Sequence, residues 1–188
     1  MANLSKTQLR TRENFIRAFI ALYTDTPIEK INVKMLADKA GYNRSSFYLY
    51  FKDVYDLRQA AEDELINVIE SSADDILSSH PKITLPEFIT AFASVAAQQA
   101  DLIYLYCRSE VFKGRLYQKI KPIFMKVNHV EEETVESEYI RSLIFNVIIH
   151  NINYCYTHQA EISIDEVINL TLQIIAPGME IFFDLNNK

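Results

Sequence analysis

The chain has 188 residues, of which 49% are hydrophobic and 23% are charged, a composition typical of a globular protein with a sizeable core. Three Gly and five Pro argue against a sheet-rich fold, which needs many turns. Two cysteines are too few for a disulfide scaffold, and neither a signal-peptide core nor an apolar run of membrane length is seen. We therefore expect an all-α protein of the cytoplasm that does not enter a membrane.

The net charge of −6 is divided unevenly along the chain. Residues 1–58 carry ten Lys or Arg against six acids, whereas the following 130 residues carry nine against nineteen. Phosphate contacts dominate affinity for nucleic acids, so a positive N-terminal segment favours DNA binding there. Negative charge elsewhere keeps the remainder of the protein away from DNA.

The first predicted helix covers residues 7–24, with Phe15, Phe19 and Leu22 at i, i+4 and i+7. Its charged side, with Arg10, Arg12 and Arg17, either approaches a DNA backbone or is a solvated face. A connecting turn containing Pro27 follows.

Two short helices joined by a tight turn come next. Asn32 is placed to cap the first, which carries apolar residues on one face and ends at Gly41, a residue that adopts a left-handed turn without steric cost. Asn43 is placed to cap the second, whose inward residues are Phe47 and Phe51. This order predicts a helix-turn-helix, in which the second helix lies in the DNA major groove.

The same residues resemble a known family. The order apolar-Ala-x-x-Ala-Gly, a capping residue, Arg, two small residues, Phe-Tyr-x-Tyr-Phe and Asp-Leu is similar to the signature of the TetR family of bacterial transcription regulators, over about Gln8 to Ala61. The resemblance implies a three-helix DNA-binding domain followed by an all-helical domain that binds a ligand and dimerises. In that family the tyrosine matching Tyr48 contacts a phosphate, as does a lysine whose position here holds Val54. Lys52 is the nearby residue that could replace this charge.

The DNA-contacting residues follow from the helix register and the resemblance together. We expect the following to meet base edges: Asn43, Arg44, Ser45, Ser46, Leu49 and Tyr50. We expect phosphates to be held by Asn32, Lys34, Tyr48 and Lys52.

The rest of the chain predicts a helical body. Asp53 is placed to cap a long helix over residues 54–79, so we divide the chain into a helix-turn-helix domain at 1–53 and a ligand-binding and dimerisation domain at 54–188. A capping box at Thr84 and Glu87 starts a helix that we expect to run to Tyr106. Gly114 marks a break or tight packing, and Pro122 kinks or begins the following helix.

The last two predicted helices, at about 135–158 and from Ser163 onward, are apolar on more than one side, with a kink expected at Pro177 and Gly178. Such helices are either fully buried or shared with a partner. Pairing with a second copy in a four-helix bundle explains both, and burial within a monomer is the alternative. The predicted homodimer interface consists of Leu143, Val147, Ile174, Ile175, Met179 and Phe182.

A ligand pocket is expected between the helices of the body, where small-molecule sites are apolar with few polar groups. The candidates are Phe92, Tyr104, Cys107, Arg108, Phe112, Tyr117, Phe124, Phe145, His150 and Tyr154, although aromatic residues at helical spacing usually belong to the core. Arg108 and His150 are the polar residues that suggest an aromatic or weakly acidic ligand.

The sequence holds no nucleophile motif and no phosphate-binding loop, so we predict neither an enzyme nor a cofactor. His150 and His158 lie at i and i+8, about 12 Å apart along a helix, too far to share a metal ion.

These features predict a homodimer that binds a palindromic double-stranded DNA operator, most simply as a repressor, and responds to an unidentified small-molecule effector. Two alternatives remain open at this point: a helix-turn-helix protein that recruits a protein partner, and a small-molecule binding protein without a DNA role.

Overall fold

The computed structural model describes residues 5–127, 134–158 and 161–186. These residues form α-helices and one 3-10 turn, and no strand occurs among them. The helices are α1 (Lys6–Tyr23), α2 (Val33–Ala40), α3 (Arg44–Tyr48), α4 (Val54–Ser79), α5 (Leu85–Ala97), α6 (Ala100–Tyr106), α7 (Glu110–Val127), α8 (Val135–Thr157) and α9 (Ile164–Asn186), with the 3-10 turn at Ile28–Lys30.

The chain divides into two compact units, Met1–Glu64 and Leu65–Lys188. The division falls inside α4, whereas the sequence places the domain boundary at the start of that helix. Asp53 accepts a hydrogen bond from the Asp56 N–H (2.8 Å), which confirms it as the capping residue of α4.

The core of the N-terminal unit is built around one aromatic residue of α1. Phe15 is fully buried, and its ring lies 5.4 Å from that of Phe47 and 6.4 Å from that of Phe51, both at nearly perpendicular angles. Edge-to-face pairs of this kind stabilise a core beyond the area they bury. Leu36 and Ala37 of α2 are also buried, so α1, α2 and α3 share one core.

Two arginines connect α1 with α4 in this unit. Arg12 pairs with Glu64 and lies over the ring of Phe51, while Arg58 pairs with Glu62 and lies over the ring of Tyr23. Arg12 is therefore committed to an internal contact, and the expectation that it approaches DNA is not supported.

The core of the C-terminal unit is aromatic as well. Phe88 stacks on Phe92 with ring centroids 5.6 Å apart and meets Phe124 of α7 edge-on at 5.8 Å. Tyr106 of α6 and Phe112 of α7 are fully buried with their rings 5.4 Å apart. These contacts bring α5, α6 and α7 together.

Two local expectations are wrong. The helix predicted from residue 85 to 106 is two helices, α5 and α6, bent by 87°, because Gln98 and Gln99 leave the helical path without a Gly or Pro to signal it. Gly114 lies inside α7 and does not break it. Pro122 also lies inside α7 and does not begin a helix, and Pro177 and Gly178 lie inside α9, so the kinks expected at these prolines stay predictions. A Cβ at Gly114 would meet nothing within 4 Å, so the tight packing that would require a glycine at this position is absent. Burial of neighbouring α7 residues offsets its low helix propensity.

Within the described ranges, no single helix is long and apolar enough to cross a membrane. The helices α5 and α6 reach that length and apolarity only when taken together across their bend.

Candidate nucleic-acid interface and effector site

The turn between α2 and α3 has the geometry that the sequence predicts. The Asn32 side chain accepts a hydrogen bond from the Met35 N–H (3.1 Å) and caps α2. Gly41 ends α2 with a left-handed φ of 78°, and the Tyr42 N–H donates to the Ala37 carbonyl at 3.0 Å. A residue with a Cβ pays a steric cost in this conformation, which explains the glycine.

Asn43 organises the start of α3. Its Oδ1 accepts from the Ser46 N–H (2.8 Å), the Ser45 Oγ (2.7 Å) and the Ser46 Oγ (2.9 Å). Because a backbone N–H can only donate, the atom facing it is the amide oxygen, and both serine hydroxyls must also donate to it. Their outward lone pairs are consequently available as acceptors.

The side chains of α3 separate into an inner and an outer face. Phe47 and Phe51 are buried, whereas Leu49 is 79% exposed and Tyr48 is 60% exposed. α3 ends at Tyr48, so Leu49 and Tyr50 follow the helix, but Leu49 keeps helical dihedrals (φ −73°, ψ −21°).

The remaining predicted base-contacting residues are accessible. Asn43, Arg44 and Ser45 are exposed, and Ser46 and Tyr50 are half-buried. All six therefore lie within residues 43–50, which we call the α3 segment. Among the contacts that the structure describes, no residue from elsewhere in the chain contributes to its outer face.

The predicted phosphate-contacting residues flank this segment. Lys34 on α2 and Lys52 before α4 are exposed, as is Tyr48. The Lys52 N–H donates to the Asp56 Oδ2 at 2.8 Å, which fixes the backbone from which the lysine projects. Val54, at the position where the resemblance implies a phosphate-binding lysine, is buried and packs into the core. The exposed cation nearest to it in sequence is Lys52.

A narrow apolar cavity of about 20 Å³ lies between α5, α8 and α9, large enough for about one water molecule. Its lining is Ile89, Ala93, Ile144, Val147, Ile148, Asn151, Ile152, Ile168, Thr171, Leu172 and Ile175. The polar members Asn151 and Thr171 bond to each other, with the amide Nδ2 donating to the hydroxyl at 2.8 Å. The surface left for a ligand is therefore aliphatic.

None of the ten predicted ligand residues is among the lining residues of this cavity. Four are fully or almost fully buried core residues: Phe92, Phe112, Phe124 and Phe145. Arg108 is exposed, with its guanidinium 5.0 Å from the centre of the Tyr104 ring. His150 and Tyr154 lie on the exposed side of α8. The structure does not bring the ten together.

Two of the predicted ligand residues have strongly perturbed acidity. Burial raises the pKa of the Cys107 thiol to about 12. Burial, and then a hydrogen bond to Glu138 (2.9 Å), raises the pKa of Tyr117 to about 12. The same Glu138 carboxylate faces Lys121 and Arg141 at 3.0 and 3.5 Å. Both residues therefore remain protonated near neutral pH.

The residues predicted for the dimer interface differ in their exposure on α8 and α9. Leu143 and Ile174 are exposed, Ile174 by 79%, while Val147 and Ile175 are half-buried and line the cavity. The side chains of Met179 and Phe182 lie outside the described residues. Leu170 on α9 and Tyr139 on α8 are also exposed. Neither is among the six residues predicted for the interface, although their spacing of four residues from Ile174 and Leu143 places them on the same faces.

The histidines of α8 do not approach each other. His158 stacks on Tyr154 with ring centroids 4.2 Å apart, and His150 lies on the far side of Tyr154 at 6.2 Å. Across the residues that the structure describes, no group of three His, Cys, Asp or Glu side chains could hold a metal ion.

Solved structures share this architecture over most of their length. A fatty acid degradation regulator, FadR, from Bacillus halodurans has a TM-score of 0.68 and 13% identity, covering 88% of this chain and 94% of that one. A TetR family transcription regulator from Marinobacter aquaeolei has a TM-score of 0.68 and 16% identity, covering 88% and 95%. FadR from Bacillus subtilis, solved in complex with stearoyl-CoA, has a TM-score of 0.62 and 18% identity, covering 87% and 96%.

No family model and no curated protein matches the sequence. At these identities the structural likeness shows the fold: the all-α architecture of TetR-family regulators, with an N-terminal helix-turn-helix and a C-terminal helical domain. The fold implied by the resemblance of the sequence is confirmed.

Proposed function

We propose that this protein is a DNA-binding transcription regulator that binds a palindromic operator as a homodimer and releases it when an effector binds the C-terminal unit. The observation that carries the proposal is the outer face of the α3 segment, where Leu49 and Tyr48 are exposed on a capped and internally braced helix-turn-helix. Single exposed apolar residues are ordinary on protein surfaces, so the exposure of Leu49 gains its meaning from its position. Its setting in this motif makes DNA the partner.

Charge supports the same partner. Residues 1–58 hold the chain's excess of Lys and Arg. The unit continues to Glu64 and includes three further acids, of which Glu62 and Glu64 are paired with Arg58 and Arg12. The exposed cations that remain beside α3 include Arg44, Lys34 and Lys52, and these are the groups that would neutralise phosphates.

The test is enrichment of bound sequences from a random duplex DNA pool with the full chain, followed by affinity measurements at two salt concentrations. We expect a palindrome with half-sites about one helical turn, 34–36 Å, apart and an affinity that falls steeply with salt. Arg44→Ala should relax base preference as well as affinity, whereas Lys34→Ala should weaken binding to all sequences alike. If no duplex is enriched, the helix-turn-helix recruits a protein partner instead.

The effector proposed here is a molecule with an aliphatic chain. The cavity lining is aliphatic apart from the mutually bonded Asn151 and Thr171, and a relative in fold was solved with stearoyl-CoA. This differs from the aromatic or weakly acidic ligand suggested by Arg108 and His150, which are exposed and do not line the cavity. A volume of about 20 Å³ requires α9 or α8 to move as the chain enters, and such a movement is what would transmit a signal.

Palmitoyl-CoA, free palmitate and salicylate distinguish these ligands when each is added to the protein–operator complex. Release by palmitoyl-CoA or palmitate, and not by salicylate, is the expected result. Ile148→Trp fills the cavity and should abolish release while leaving operator binding intact. Release by salicylate alone would favour an effector site at Arg108 and His150 over the cavity.

The comparisons also bear on catalysis. Of the three proteins of the same fold described above, two are transcription regulators by name and one is a fatty acid degradation regulator. We propose a regulator of transcription, acting on DNA in the cytoplasm, in preference to an enzyme. We propose repression relieved by the effector. A promoter fusion carrying the selected operator should be silenced by the protein and restored by the aliphatic ligand.

A further inference from the structure

Only two of the six predicted base-contacting residues lie at the centre of the outer face of the α3 segment. A helix turns about 100° per residue, so Leu49, two positions after the buried Phe47, points almost directly away from the core. Ser45 lies four residues before Leu49 and occupies the same face. Arg44 and Tyr48 are on the flank between this face and the core. The outermost ridge therefore consists of Ser45 and Leu49.

These two side chains present different chemistry to a ligand. Leu49 presents methyl groups with 79% of its surface exposed and no hydrogen-bonding atom. Ser45 donates its hydroxyl proton to the Asn43 Oδ1 at 2.7 Å, so its outward oxygen is an acceptor. Asn43 is held by the Ser46 N–H at 2.8 Å, which prevents the amide from rotating to offer its NH₂ group to the hydroxyl.

Resting on the proposed DNA-binding function, we propose that Leu49 reads the 5-methyl group of thymine and that Ser45 accepts a hydrogen bond from an exocyclic amino group, the N6 of adenine or the N4 of cytosine. In the major groove, thymine is the base that presents a methyl group, and adenine and cytosine are the bases that present amino donors. Guanine presents acceptors at O6 and N7, which match neither member of the ridge. Specificity for A·T-containing half-sites is thereby built into the ridge.

The experiment uses the full chain and the operator enriched from the random duplex pool. Each thymine is replaced in turn by deoxyuridine, which removes the methyl group and leaves base pairing unchanged. One symmetry-related pair of positions should lose affinity by about fourfold per half-site, the scale of burying one methyl group. Leu49→Ala should bind the thymine and deoxyuridine duplexes equally, while Leu49→Met, which keeps an apolar contact, should retain the difference.

Ser45 is tested in the same way. Purine replaces adenine, and pyrimidin-2-one replaces cytosine, so that the amino group is lost at one position at a time. A loss of about fivefold, the scale of one net hydrogen bond, should occur at one position per half-site in the wild type and be absent in Ser45→Ala. Val111→Ala, at an exposed residue of α7, is the control for a change of apolar surface elsewhere and should behave as the wild type throughout.

The outcomes separate this inference from the proposed function. A pool that enriches no duplex overturns the DNA-binding function itself. An operator that tolerates every deoxyuridine, or whose sensitivity persists in Leu49→Ala, overturns the methyl-reading role while the regulator function stands. A loss of affinity on replacing a guanine by 7-deazaguanine, which removes the N7 acceptor, that is present in the wild type and absent in Ser45→Ala would overturn its role as an acceptor.

Discussion

At the scale of single residues, Tyr117 links the stability of the C-terminal unit to alkaline pH. Its pKa lies at about 12 in the folded protein, above the value of about 10 for an unperturbed tyrosine. The folded state therefore holds the phenolic proton more tightly than the unfolded state. The stabilisation is fully present below pH 10 and is lost as the pH rises from about 10 to about 12.

Tyr117→Phe should reduce this loss, because phenylalanine keeps the ring contact with Phe145 and cannot ionise. Chemical denaturation at pH 8, 10 and 11 measures the free energy of unfolding for both proteins. The comparison is made in a Cys107→Ala background, since the Cys107 thiol, with a raised pKa of about 12, titrates in the same range. Parallel pH profiles would show that ionisation of Tyr117 is not coupled to unfolding.

At the scale of the helices, two glycines have opposite roles. Gly41 ends α2 with φ 78°, whereas Gly114 lies inside α7, and a Cβ added at either position would meet nothing within 4 Å. The effect of alanine at each site is thus decided by backbone conformation alone. Gly41→Ala should destabilise the N-terminal unit by about 1–2 kcal/mol, the cost of a left-handed residue with a Cβ. Gly41→Asn should cost less, since asparagine tolerates that conformation.

Gly114→Ala is the matched control and should stabilise the protein by about 0.5–1 kcal/mol, because alanine is the better helix former at a right-handed position. Urea unfolding followed by circular dichroism measures both changes. Equal effects of alanine at the two sites would mean that Gly41 does not hold the left-handed conformation in solution.

The helix ends were predictable where the signal is local, and the break in the middle of the body was not. Asn32, Asn43, Asp53 and the capping box at Thr84 all form the bonds that the sequence predicts. Gln98 and Gln99 carry no signal of a break, and the bend of 87° after α5 arises from packing: α5 contacts α9, and α6 contacts α8. Gly114 misleads for the related reason that tertiary burial overrides its low propensity.

At the scale of the whole molecule, the two candidate sites differ in how far the sequence could locate them. The candidate DNA-binding residues lie within one short stretch, and the register of Phe47 and Phe51 was sufficient to predict which of them face outward. The candidate effector cavity is formed by α5, α8 and α9, of which α5 is distant in sequence from the other two, and its aliphatic lining has the same composition as the core. Aromatic and polar residues such as Phe112 and Arg108 were predicted to bind the ligand because of their chemistry. Ile148, Asn151 and Thr171, which line the cavity, belong to no sequence pattern that distinguishes them from core residues.

The last prediction concerns the proposed homodimer. Leu143 on α8 and Leu170 and Ile174 on α9 form an exposed apolar surface, and a two-fold dimer would use it in both protomers. Ile174→Lys should leave the protomer folded, because the side chain is 79% exposed. Each dimer would contain two such lysines, and burying or facing like charges costs several kcal/mol, which corresponds to a weakening of self-association by about 100-fold or more.

Sedimentation equilibrium measures the effect against the protomer mass of 21.8 kDa. The wild type should sediment at twice this mass at micromolar concentration and Ile174→Lys at the protomer mass, with a loss of affinity for the palindromic operator in step. Val111→Lys introduces the same charge at a residue that is 73% exposed on α7, and it should remain dimeric and bind DNA normally. A wild type that sediments as a protomer would favour burial of the terminal helices within one chain. If Ile174→Lys and Val111→Lys were both dimeric, the two-fold contact would lie on a surface other than that around Ile174.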